Sequence, residues 1–285
     1  MDTRDNYHAD VSRISKSGLD LINRSPYHYW AKYISKDRPA EAPKKAFVVG
    51  SITNDVLLQA HLLDAQYAIV PADAPRRPTA AQINAKKPSD ETLAAIDWWA
   101  AFNEKIGGRT VVEADDYDKA CRMRDAIHAH PAARVLLRDG VAEKTLYFEE
   151  PETGAKCKCR PDWIGRLSDG QHVLVDLKTT TDGSPDSFGR SALSWRYHVQ
   201  AAFYSDGFYE ATDNYPQAFI FLCVEKEYPF AVSAYYADER TIELGHKAYM
   251  KNLQTYLDCF QSGVWPGYSE KIERLALPEY IFKQL

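Results

Sequence analysis

Apolar residues along this chain recur with two different periods, and the change of period divides it. From Ser15 to Arg138 the spacing is mainly helical. Ser15 and Ser17 open a first helix, with Ser17-Gly18-Leu19-Asp20 as a candidate capping box. The helix breaks at Ser25-Pro26 and resumes with Tyr27, Tyr29, Trp30 and Tyr33. A second is predicted to begin just after Lys44-Lys45 and to span Gly50 to Asp64. Pro71 to Pro88, rich in proline and alanine, reads as a long exposed loop with one short helix. Ser89 caps a helix that runs through Trp98 and Trp99 and ends at Gly107-Gly108. A short strand from Thr110, a helix from Asp115 to His130 and a further turn opened by Pro131 complete this part.

Beyond Val141 the pattern becomes β-rich. Strands are predicted over 141–150, 155–167 and 171–179, with a turn at Pro151-Glu152-Thr153-Gly154 between the first two. A helix around Tyr197 to Glu210, strands at 217–225 and 229–236, and a helix from Asp238 to Gln261 follow. No internal repeat is visible. The order predicts one α/β domain over residues 1–285 around a central mixed sheet. Residues 1–140 form a mainly helical part, 141–262 the core and 263–285 a tail.

The chemistry concentrates in one predicted hairpin. Arg160-Pro161-Asp162 leads to a turn at Ser168-Asp169-Gly170, and Val173-Leu174-Val175-Asp176-Leu177-Lys178 returns from it. A hairpin centred on Asp169 sets Asp162 opposite Asp176, with Cβ atoms about 4.5–5.5 Å apart. Lys178, two residues further, shares their face. Two carboxylates this close raise each other's proton affinity unless a cation holds them. Hard oxygen ligands suit Mg²⁺ or Mn²⁺, and the Leu177 carbonyl is a further candidate oxygen. The bland alternative is a cross-strand ion pair on a surface strand. Val173, Leu174 and Val175 argue against it, because they make the strand a buried one.

Composition changes this picture little. With 285 residues, 45% hydrophobic and 26% charged, the chain is an ordinary globular protein, and its net charge of −5 argues only weakly against a nucleic-acid partner. No apolar run is long enough to cross a membrane, and the polar start is unlike a signal peptide, so a cytoplasmic protein is expected. Cys157-Lys158-Cys159 has one spacer, too few for ordinary zinc chelation, and reads as reduced thiols on a strand.

Three segments together, Arg160-Pro161-Asp162, Asp176-Leu177-Lys178-Thr179-Thr180 and Gln200-Ala201-Ala202-Phe203-Tyr204, resemble the PD-(D/E)xK nucleases of the RecB-like branch. Within it, Tyr197 to Gly207 is similar to the RecE-type phage exonucleases (exodeoxyribonuclease VIII). The resemblance runs in order from about Ser15 to Tyr209. It implies a restriction-endonuclease-like core with an N-terminal helical elaboration. It further implies a Mg²⁺-dependent (or Mn²⁺-dependent) exodeoxyribonuclease that digests linear double-stranded DNA 5′ to 3′ for recombination by single-strand annealing. A ring-shaped homo-oligomer, trimer or tetramer, and a single-strand annealing protein as partner come with it. Metal ligands are implied at Asp162 and Asp176, a catalytic lysine at Lys178, and a Gln-x-x-x-Tyr element at Gln200 and Tyr204. The i,i+4 spacing of that element puts both on one helix face, Gln200 toward the site and Tyr204 toward DNA.

The chain departs from the family at Gly50-Ser51-Ile52-Thr53-Asn54, where the resembling pattern carries a metal-binding histidine in place of Asn54. An amide oxygen can ligate Mg²⁺ but binds transition metals less strongly than imidazole. A tolerated variant, a weakened nuclease and an inactivated one all fit. Some related nucleases carry an acidic ligand on their first core strand; here Glu143 reads instead as a solvated strand end. Ser25 stands where iron–sulfur members carry a cysteine, so no cluster is expected. Arg160, and Arg76 and Arg77 (with Lys86 and Lys87) on the long loop, are candidate DNA contacts. Two rival readings remain: a RecB-like endonuclease of repair or defence, and a degenerate nuclease fold serving as a DNA-binding or assembly module.

Overall fold

The computed structural model describes residues 4–37 and 45–277. Lys44, at the expected start of the second helix, and residues 278–285 of the expected tail lie outside the described residues. The helical part opens with α1 (Arg4–Ala9), α2 (Lys16–Arg24) and α3 (Pro26–Tyr33). Ser15, rather than Ser17, caps α2, its side chain accepting from the Gly18 N–H at 3.4 Å. Pro26, whose missing N–H is no loss in a first turn, starts α3. The expected helix to Asp64 is shorter: α4 (Lys45–Leu58) leaves helical geometry at Gln59, and α5 (Leu63–Gln66) follows a 3-10 turn.

Strand β1 (Tyr67–Ile69), α6 (Ala80–Ile83), α7 (Asp90–Ile106), β2 (Thr110–Val112), α8 (Ala114–Ala129) and α9 (Pro131–Leu136) come next. Ser89 caps α7 by accepting from Thr92 N–H, and left-handed Gly107 ends it. The short β1, not expected from sequence, pairs in parallel with β2.

The core holds β3 (Gly140–Ala142), β4 (Leu146–Glu149), β5 (Lys156–Cys159), β6 (Trp163–Arg166) and β7 (His172–Thr180). After them come α10 (Pro185–Ser194), α11 (Tyr197–Thr212), β8 (Ala218–Glu225), β9 (Val232–Tyr236) and α12 (Glu239–Ser262). The central five-stranded sheet has the order β3-β6-β7-β8-β9, in which only β7 and β8 are parallel. That parallel step requires a crossover, and α10 and α11 supply it. No helix among the described residues is long and apolar enough to cross a membrane.

Each of the two long strands expected over 141–150 and 155–167 is broken in two. Their outer halves, β4 and β5, form a separate ribbon, while β3 and β6 join the central sheet. The breaks face each other. Glu143 has φ +52, outside strand geometry, and Pro161 has no N–H to donate to a ladder. The register nonetheless runs through, because Glu143 N–H donates to the Asp162 carbonyl at 2.9 Å.

β7 is buried on both faces, as Val173-Leu174-Val175 predicted. Leu174 packs into one core with Val199 and Phe203 of α11 and Leu253 of α12. Val173 and Val175 pack into another with Met123 and Ile127 of α8. Each such side chain contributes about 1.5–3 kcal/mol by leaving water. Strand alternation then aims Asp176 and Lys178 to the α11 side.

Candidate active site

Pairing of Trp163 with Val175 and of Ile164 with Leu174 gives the register implied by a turn at Asp169. One step further along, Asp162 and Asp176 stand across from each other. Asp176 is 2% exposed on β7, and Asp162 Oδ2 accepts the backbone N–H of Leu177 at 2.8 Å. Thus Leu177, a candidate for its carbonyl, contributes its amide to hold Asp162.

Burial pushes the Asp162 carboxyl well above the usual carboxylate range, and the negative charges of Asp176 and Glu143 push it in the same direction. Lys178 answers that charge. Its Nζ lies 2.6 Å from Asp176 Oδ2 and donates to Gln200 Oε1 at 3.0 Å. Burial alone would lower the proton affinity of Lys178, but Asp176 and Asp162 raise it on balance, so the ammonium stays charged. The Tyr197 ring covers it, with Nζ 4.4 Å from the centroid.

Gln200 and Tyr197 come from α11. Arg196, in the left-handed region at φ +55, turns the chain from α10 into α11 and is anchored to Asp20 and Asn252. Gln200 bridges the pair: its Nε2 donates to Asp176 Oδ1 at 2.5 Å while its oxygen receives Lys178. Asp162, Asp176, Lys178 and Gln200 are therefore one constellation.

The other sequence candidates are placed differently. Tyr204, expected toward DNA, is 9% exposed, its ring edge-on to Phe219 in the core. Arg160, also a candidate DNA contact, is buried, donating to Glu143 Oε2 at 2.8 Å and to Thr145 Oγ1 at 2.5 Å. Both are internal: Tyr204 lies on a covered face of α11, and Arg160, just past the end of β5, turns inward to Glu143 and Thr145. Arg76 and Arg77 do lie exposed on the 70–79 loop, with the Arg77 guanidinium 3.8 Å from the Trp99 ring centroid. Trp99 is buried and donates to the Pro75 carbonyl, while Trp98 stacks on Phe102.

Glu143 corrects the sequence reading most. It is buried, not solvated, and takes hydrogen bonds from Arg160, from Arg4 at 3.2 Å and from Asn54 Nδ2 at 2.9 Å. Asn54, on α4, is thereby brought to the rim of the constellation. Arg4 and Asp55 join the same network and escaped the sequence reading. One signal was present: Asp55 sits between Ile52 and Val56 in a buried stretch of helix, where a carboxylate demands a cation. Cys157 and Cys159 are buried free thiols, as expected.

Among the described residues no three His, Cys, Asp or Glu side chains group as a ready metal cage. What the site offers a cation is two carboxylates and two oxygens short of partners. Asn54 Oδ1 is buried with no hydrogen bond, and Asp176 Oδ2 has the Lys178 ion pair but no directed hydrogen bond. Oxygen donors left unsatisfied in a buried site fit Mg²⁺ or Mn²⁺.

No curated protein matches the chain. Among solved structures, that of a "Putative exonuclease" from Eubacterium rectale superposes over 99% of this chain and 97% of its own, with a TM-score of 0.60 at 15% identity. The two share a fold. A phage related exonuclease from Haemophilus somnus 129PT covers 74% of this chain and 95% of its own at 13% identity, with a TM-score of 0.33. Residues 15–278 match the model of a PDDEXK-like domain of unknown function (DUF3799), the family to which this chain belongs.

Proposed function

We propose that the protein is a metal-dependent nuclease that hydrolyses phosphodiester bonds of linear double-stranded DNA from its ends. The observation that carries this reading is Asp162 facing the buried Asp176 across the β6–β7 register, with Lys178 2.6 Å from the second carboxylate. A purely structural strand gains nothing from two facing acids whose charges oppose each other.

In this reading Asp162, Asp176 and the Leu177 carbonyl, with Asn54 Oδ1, would hold Mg²⁺ or Mn²⁺. When bound, the cation supplies Lewis-acid polarisation of a phosphate and of a water. The charged Lys178 ammonium donates to the phosphate oxygen on which negative charge builds. Gln200 keeps the ammonium and Asp176 in register, and Tyr197 shields Lys178 from bulk water. Arg76 and Arg77 would meet the DNA backbone from the exposed loop. The 5′-to-3′ direction, a ring of three or four copies and work beside a single-strand annealing protein follow the RecE-type resemblance.

Asn54, at the position of a family histidine, favours a second reading: a nuclease fold kept for DNA binding alone. One experiment separates the two. Linear and covalently closed duplex DNA are incubated with the protein and with Lys178→Ala, in Mg²⁺ and in Mn²⁺. Loss of linear DNA only, abolished in Lys178→Ala, is the expected result. Cutting of closed circles points to an endonuclease. Intact linear DNA with either metal sinks the catalytic reading and leaves the binding module.

A further inference from the structure

The Asn54 side chain is fixed through one end only, its Nδ2 on Glu143. A carboxylate only accepts hydrogen bonds, so its 2.9 Å contact with Glu143 Oε1 assigns Nδ2 to that side and turns Oδ1 the other way. Oδ1 is then buried with no partner. Glu143 is itself fixed by Arg160 at Oε2, by Arg4 at Oε1 and by its own N–H on the Asp162 carbonyl.

Arg4 belongs to α1, at the far end of the chain from this strand. Its guanidinium takes Asp55 bidentately, at 3.0 and 2.7 Å, while its Nη2 also reaches Glu143 at 3.2 Å. Asp55 is the next residue after Asn54, and the Tyr67 hydroxyl supports it at 2.5 Å. Moreover, α1 is tied down beyond Arg4: Lys158 Nζ donates to the carbonyls of Tyr7 and Asp10. The chain therefore has an N-terminal strap that ends on both groups controlling Asn54, its neighbour Asp55 and its hydrogen-bond acceptor Glu143.

We propose that Arg4 is a positioning residue for the cation site: through Glu143 and Asp55 it fixes the Asn54 carboxamide so that Oδ1 serves as a neutral oxygen donor beside Asp162 and Asp176. This rests on the cation reading of that pair. It accounts for the unpartnered buried oxygen, and it specifies the ion. A site that takes an amide oxygen in place of an imidazole selects a hard cation, Mg²⁺ or Mn²⁺, over nitrogen-seeking metals such as Ni²⁺.

The test is binding of Mn²⁺ alone, followed by electron paramagnetic resonance of the free ion, with melting in EDTA as the measure of folding. Proteins compared are the full chain, Arg4→Gln, Asn54→Leu, the double variant, Asn54→His and Asp176→Asn. Arg4→Gln and Asn54→Leu should each weaken Mn²⁺ about 10–100-fold, as loss of a supporting partner or of a ligand does. The double variant should be no weaker than Asn54→Leu, because Arg4 acts through Asn54. Asn54→His should raise the ratio of Ni²⁺ to Mn²⁺ affinity, a readout that a merely structural role for Asn54 leaves unmoved. Unchanged Mn²⁺ affinity in Arg4→Gln, losses that multiply in the double variant, or an unchanged metal ratio in Asn54→His overturns the proposal. If Arg4→Gln is unfolded in EDTA, Arg4→Lys, which keeps the charge but loses the bidentate hold on Asp55, takes its place with the same expectations. Loss of Mn²⁺ in Asp176→Asn together with unaltered Arg4 and Asn54 variants refutes the strap but keeps the cation reading. A full chain that binds no Mn²⁺ removes both.

Discussion

Gln200 is bound to Asp176 by a 2.5 Å hydrogen bond from Nε2 to Oδ1, which ties the crossover helix α11 to the central strand β7. Its other end receives Lys178. A side-chain amide carries its donor and its acceptor on separate atoms, so it can donate to a carboxylate and accept from an ammonium at once. The parallel step from β7 to β8 brings α11 back over the end of β7, so this contact is a consequence of topology as much as of residue type.

Replacing Gln200 by Glu keeps size and shape but sets a carboxylate against Asp176. The donor is lost and a like charge is added. Cleavage of linear duplex in single-turnover conditions should fall about 10–100-fold, in the range seen when partners of metal ligands are removed. Activity equal to that of the parent would show that the bridge plays no part in orienting Asp176.

Lys178→Ala leaves Asp176 buried without its ion pair. Breaking a buried pair by removing one partner costs about 3–5 kcal/mol, so the variant should melt lower in EDTA. Mg²⁺ should recover more of its stability than it adds to the parent, since the cation replaces the missing charge. Cleavage should nonetheless stay at least about 100-fold down, because the ammonium also meets the phosphate. A variant that melts like the parent in EDTA would contradict the ion pair.

Asp162 contributes to the pH dependence of the metal-free protein's stability. Its proton affinity is raised on folding, chiefly by burial and then by Asp176 and Glu143. A raised folded value means that this group's contribution to stability is complete below its unfolded value, about 4, and is lost as pH rises through the folded one. Asp162→Asn removes the group. In EDTA at pH 7 its melting temperature should exceed that of the parent by about 2 °C or more, while cleavage disappears. A lower melting temperature at pH 7 would reverse the sign and refute the argument.

The constellation was legible where short-range rules reach. Asp169-Gly170 fixes the turn, the turn fixes the register, and period 2 adds Lys178. Gln200 followed from its motif, and the i,i+4 rule placed Tyr204 on the same helical face. That face proved internal, because α11 lies between the sheet and α12 and is buried from Val199 to Ser205. Glu143 was misread because nothing in Glu signals the left-handed backbone that breaks its strand; Asn, Asp or Gly would have. Arg4 was invisible for another reason: its partners Asp55 and Glu143 lie 51 and 139 residues away, beyond any local pattern. Strand β1 has three residues and follows α5 directly, with no Gly or Pro to mark the change as Gly107-Gly108 marks the approach to β2.

Gly245 on α12 is the place where packing and site can be tested together. A Cβ at this position would overlap the backbone carbonyl of His198 on α11, and would also press on Ala202 Cβ at 2.9 Å. The obstacle is backbone, which cannot swing aside as a side chain can, so the helices must separate. Gly245→Ala gains helix propensity worth about 1 kcal/mol, yet overpacking of this kind costs about 1–3 kcal/mol or more, and the net change should be destabilising. Because His198 stands two residues before Gln200, displacing α11 also draws the amide away from Asp176 and Lys178. We therefore expect a lower melting temperature in EDTA and a cleavage rate reduced at temperatures where the variant is still fully folded. A variant with normal cleavage and raised stability would mean that α11 and α12 do not approach as closely as the glycine requires.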